Sequence, residues 1–132
     1  MKRSLLFFLI ALGLCGVDVL TANDKPDFIA ADITVEADQF IHIKLQNKST
    51  VNYSIIPELN EKIFLTIYIN NIKRAEYKIK YIDPKLFKPK GNILFRTNFR
   101  VQKGLEIKVE VNPLKVIPES DFLNNQLVKQ LN

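Results

Sequence analysis

Of the 132 residues none is tryptophan, one is cysteine, one is histidine and only four are glycine. The cysteine, Cys15, lies in an apolar N-terminal run, so residues 23–132 contain no thiol and must hold together without a disulfide. Gly13 and Gly16 share that run, which leaves Gly91 and Gly104 and no glycine loop of the kind that cradles phosphate. No Gly-x-Ser-x-Gly or His-Glu-x-x-His pattern occurs. The apolar run itself, Leu5 to Val17, is 13 residues long. A spanning helix needs roughly 20.

What the front of the chain does carry is an export signal. Lys2 and Arg3 supply the positive start, the apolar run follows, and Leu20-Thr21-Ala22 offers a cleavage site ending in a small residue. Residues 1–22 are thus expected to be removed, with an uncleaved anchor as the alternative. Leu12-Gly13-Leu14-Cys15 loosely resembles a bacterial lipobox, with Leu14 departing from the small residue normally found before the cysteine. Lipidation at Cys15 is a second route to the envelope. Residues 23–132, 110 in number, fit one domain large enough to bury its own core.

The whole chain carries a net charge of +5. Residues 73–108 hold eleven Lys or Arg against Glu76, Asp83 and Glu106, a local balance of +8. Residues 23–72 carry −3 and residues 109–132 carry −1. The centre of the chain is its basic pole.

Period-two alternation recurs along residues 28–131 and helical periodicity is nearly absent, which argues for half-buried antiparallel strands. Ile29, Ala31, Ile33 and Val35 form the expected inward row of a first strand, and Ile41, Ile43 and Leu45 that of a second. Residues 63–69 are apolar on both faces and are expected to be central. Asn70-Asn71 reads as a tight hairpin turn, because asparagine tolerates positive φ. Ala75, Tyr77, Ile79 and Tyr81 would point inward on the return. Asp83-Pro84 and Lys88-Pro89-Lys90-Gly91 mark a connecting loop. Phe95, Thr97, Phe99 and Val101, then Leu105, Ile107, Val109 and Val111, give two further inward rows, and a last strand covers roughly Gln126 to Leu131. About seven strands at this spacing predict an all-β fold, an immunoglobulin-like antiparallel β-sandwich without the cysteines and tryptophan of antibody domains.

Pro26-Asp27-Phe28-Ile29, Leu45-Gln46-Asn47-Lys48-Ser49, Tyr68-Ile69-Asn70-Asn71, and above all Val109 to Pro113 followed by Glu119-Ser120-Asp121-Phe122-Leu123-Asn124-Asn125 together resemble the CARDB domain, the cell adhesion related domain found in bacteria. The similarity runs through residues 25–131. The hairpin lacks the family's glycine, and Ile79 to Asn92 is longer and more basic than the family's linker. The resemblance implies a module for adhesion or ligand presentation.

Candidate chemistry is sparse. His42 sits between Ile41 and Ile43 on a strand and is expected on the polar surface beside Lys44. Glu58 with Glu61, and Glu106 with Glu110, are the carboxylate pairs to weigh for acid/base work, and both read as solvated charge. Glu119, Asp121, Asn124 and Asn125 bring four oxygen-bearing side chains within seven residues. Calcium takes six to eight oxygen ligands, but the Asp-x-Asp-x-Asp-Gly spacing is missing. These residues are therefore expected to bond neighbouring backbone and fix the bend, with a calcium site as the alternative. If residues 72–81 and 94–101 lie in one sheet, Arg74, Lys78, Lys80, Arg96 and Arg100 share its outer face and form a patch for anionic polymers. The competing reading is that these cations serve solubility and guard an edge.

The expectation is a non-catalytic exported module without cofactor, periplasmic or extracellular, that binds an envelope protein or anionic glycan. The export signal points away from nucleic acid, and membrane attachment would come only through an uncleaved signal or lipidated Cys15. The alternatives are a periplasmic accessory or chaperone-like subunit that pairs strands with a client and, more remotely, a hydrolase.

Overall fold

The computed structural model describes residues 24–100 and 102–132; the expected signal, with Cys15, lies outside them. Seven strands carry the fold: β1 (Phe28–Val35), β2 (Phe40–Asn47), β3 (Ile63–Ile69), β4 (Ile72–Lys78), β5 (Asn92–Arg100), β6 (Glu106–Val111) and β7 (Gln126–Gln130). All neighbouring strands are antiparallel, in one sheet ordered β1-β2-β5 and a second ordered β4-β3-β6-β7. The two sheets close over a shared core as an immunoglobulin-like β-sandwich. β3 is central, as its two apolar faces predict.

Local chemistry explains the β3–β4 turn and the approach to β6. Asn70 and Asn71 take φ of 50° and 69°, the paired left-handed conformations of a tight hairpin turn, with no glycine. Asn70 also ties this hairpin to β6, donating its N–H to the Glu106 carbonyl at 2.9 Å and accepting the Glu106 N–H on Oδ1 at 2.9 Å. Gly104, at φ 81°, turns the chain towards β6.

The inward row expected for β1 is corrected by a bulge between Ala30 and Asp32. Phe28 and Ala30 are buried before it and Ile33 after it, while Ala31 is exposed and Val35 is 45 % exposed. One extra residue reverses the parity of the pleat, so no single alternation spans the strand. β4 departs differently. It stops at Lys78, and a 3-10 turn over Ile79–Tyr81 keeps Ile79 in the core but turns Tyr81 out to 64 % exposure.

The connecting loop does more than connect. Asp83 caps a 3-10 turn over Pro84–Phe87 by accepting the Lys85 N–H at 3.0 Å, and the turn drives Leu86 and Phe87 into the core. Phe87 meets Phe28 and Phe64 edge-to-face, with the three centroid distances 5.3–5.5 Å. Gly91 is required by close approach, since a Cβ there would lie 2.3 Å from the Lys85 carbonyl oxygen.

Candidate functional site

The five basic residues expected on one face do not share a sheet. Arg74 and Lys78 belong to β4 and Lys80 to the turn after it, whereas Arg96 and Arg100 belong to β5 in the other sheet. The expected common face is corrected accordingly. β4 and β5 are nevertheless edges of their sheets, and they meet along one side of the sandwich. Tyr77 packs on Phe95 with centroids 4.8 Å apart, and the Arg74 guanidinium lies 5.9 Å from the Phe99 ring centre. Burial in this seam pushes the Tyr77 phenol up.

Three of the five cations are engaged internally. Lys78 and Lys80 donate to opposite oxygens of Glu61 at 2.8 and 2.6 Å, and these bonds hold the Glu61 carboxyl down to about 2 and raise the Lys80 ammonium. Arg96 donates through Nε to Asp38 at 2.9 Å, while its guanidinium stacks 3.9 Å from the Phe40 ring centre. Asp38 is held at about 2, first by the Phe40 backbone N–H and then by His42 and Arg96.

His42 belongs to this second cluster. It lies between Thr34 and Arg96 across the sheet and bonds Asp38 through Nε2 at 3.0 Å. Only 8 % of it is exposed. The expectation of a surface histidine is corrected: a covering arginine and a turn aspartate close over the outward row of β2. No alternation rule signals that, because Asp38 comes from the turn before β2 and Arg96 from β5, 54 positions beyond His42.

Arg74 and Arg100 remain. Among the described residues neither has a carboxylate partner. Both line one cleft of about 340 Å³, where the hairpin tip parts from the end of β5. Ile72, Asn98, Phe99 and Gln102 share its wall, and no aspartate or glutamate does. Arg100 also lies 4.9 Å from the Phe40 ring centre, so both guanidinium groups are steadied by aromatic rings that leave their charge uncompensated. Such a cleft attracts anions.

The second candidate group is a structural knot. Glu119, 5 % exposed, accepts the Phe28 N–H at 2.7 Å on one oxygen and the Asn112 and Asn125 amides at 2.7 and 2.6 Å on the other. Asn112, from the Val109–Pro113 stretch of the closing pattern, also donates to the Ile117 carbonyl at 2.7 Å. Asn125 bonds the Val111 carbonyl, Asn124 bonds Asp27, and Asp121 caps the Leu123 N–H at 2.8 Å. The carboxamide oxygens of Asn124 and Asn125 are buried without a protein partner, so both amides act as donors only. These contacts join the start of β1 to the bend before β7. Donors surround the carboxylate, and among the described residues no three His, Cys, Asp or Glu gather to hold a metal ion. Burial pushes Glu119 up to about 7, against the pull of its three donors.

No family model matches the chain, and neither a curated protein nor a solved structure matches it.

Proposed function

We propose that the chain is an exported, non-catalytic binding module of the cell envelope that engages an anionic polymer through the cleft between β4 and β5. The observation that carries this reading is the division among the basic residues. Lys78 and Lys80 share the Glu61 carboxylate and Arg96 pairs with Asp38, whereas Arg74 and Arg100 line a carboxylate-free cleft. Cations that served only solubility would have no reason to line one concave site without acidic partners. The signal-like first 22 residues support export, and the resemblance to CARDB domains supports a role in adhesion.

The experiment compares salt-graded retention of the protein on immobilised envelope polysaccharide with two variants of equal charge change. Arg74→Glu with Arg100→Glu is expected to elute at much lower salt than the wild type. Lys78→Glu with Lys80→Glu is expected to elute close to it. Equal elution of the two folded variants would reduce the interaction to net charge and overturn the assignment to the cleft.

A further inference from the structure

What the cleft offers and withholds narrows the ligand, on the reading just given. We propose that it takes one carboxylated sugar ring, a uronic acid unit of an acidic polysaccharide, with the carboxylate on Arg74 and Arg100 and the ring hydroxyls on the amides of Asn98 and Gln102.

Size comes first. About 340 Å³ stands near the lower end of ligand-binding pockets, room for one ring rather than for a folded peptide segment. Charge geometry comes second. A guanidinium presents a planar fork that matches a carboxylate with two parallel hydrogen bonds, and Phe99 backs the Arg74 fork at 5.9 Å. The remaining wall comes third. The carboxamides of Asn98 and Gln102 each combine a donor and an acceptor, which suits hydroxyl groups, and Ile72, 64 % exposed, supplies an apolar surface for the C–H face of a ring.

Nucleic acid fits this wall less well. Single strands bind by stacking bases on open aromatic faces. The aromatic ring in the cleft, Phe99, is half-buried and already faces Arg74. An acidic peptide would satisfy the guanidinium groups but presents no ring hydroxyls to the amides of Asn98 and Gln102.

Calorimetric titration of the protein with a tetramer of galacturonate, its neutral methyl ester and a tetraglutamate peptide tests the inference. Saturable binding of the acid is expected, weaker for the ester by at least about tenfold, since charge-assisted hydrogen bonds are lost. Arg74→Gln and Arg100→Gln should each weaken acid binding by about tenfold or more, and Asn98→Ala by about threefold or more. Lys78→Gln should leave it within about twofold, as an exposed paired lysine contributes little. Ester binding equal to the acid, or tetraglutamate binding as tight as galacturonate, would overturn the sugar-acid assignment. If galacturonate fails to bind while retention on envelope polysaccharide still depends on Arg74 and Arg100, the ligand class falls and the cleft stands. Retention indifferent to both arginines removes both.

Discussion

Glu119 is the residue on which the closing bend depends. Its folded-state value of about 7 lies above the ordinary 4.5, so between those values the folded protein keeps a proton that the unfolded chain has released. Stability is therefore expected to be highest below about pH 4.5 as far as this group is concerned, to fall as pH rises towards 7, and to level off above it. Glu119→Gln should lower stability by about 1–3 kcal/mol at acid pH, because an amide nitrogen then faces converging donors. It should also flatten the decline between pH 5 and 7, a range set by the Glu119 value. Urea unfolding at several pH values measures both effects, and an unchanged slope in the variant would refute the assignment. Glu61 makes the opposite case. It is exposed, so Glu61→Gln is expected to leave the urea midpoint close to that of the wild type. The same change frees Lys78 and Lys80, which lie outside the cleft, and the variant should elute from an acidic polymer at close to the salt of the wild type.

Elements show where local rules suffice. The β3–β4 hairpin was legible because Asn70-Asn71 stands between two alternating runs, and both residues adopt the left-handed conformations this turn demands. Asn71→Gly should stabilise the protein by about 0.5 kcal/mol, as glycine occupies that region without steric cost. Asn70→Ala should destabilise it by about 1–2 kcal/mol, through backbone strain and loss of the Glu106 N–H acceptor. Chemical denaturation midpoints of the two variants should move in opposite directions. In β1 the pattern misleads. Ile29, Ala31, Ile33 and Val35 alternate faithfully, yet the bulge at Ala31 places Phe28 and Ala30 inside instead. Thr97 repairs a similar irregularity between β2 and β5, its buried hydroxyl donating to the Ile41 carbonyl at 2.7 Å. An alternation written along one strand cannot register a residue that its partner strand leaves unpaired.

At the scale of the molecule, three phenylalanines from β1, β3 and the 84–87 turn join both sheets and the long connection in one cluster. Phe87→Ala should cost about 3–5 kcal/mol, since the sheets cannot close over the space it leaves. Thermal and urea unfolding give the measurement, and a cost below about 1 kcal/mol would show the turn to be peripheral. The sandwich also determines which charges act together. Had β4 joined the sheet of β5, the five basic residues would have shared one face. Placing the strands on opposing edges instead leaves Arg74 and Arg100 lining one cleft and gives the others local acidic partners.

From the sequence alone came the number of strands, the all-β class, the asparagine turn, the centrality of β3 and the location of the basic pole, because each depends on spacing and residue type within a few positions. The tertiary structure alone decided which charges are free, that His42 is covered, that Phe87 belongs to the core and that Glu119 gathers donors from Phe28, Asn112 and Asn125. Those outcomes rest on contacts between residues up to 91 positions apart, made across neighbouring strands and between the two sheets only once the chain has folded.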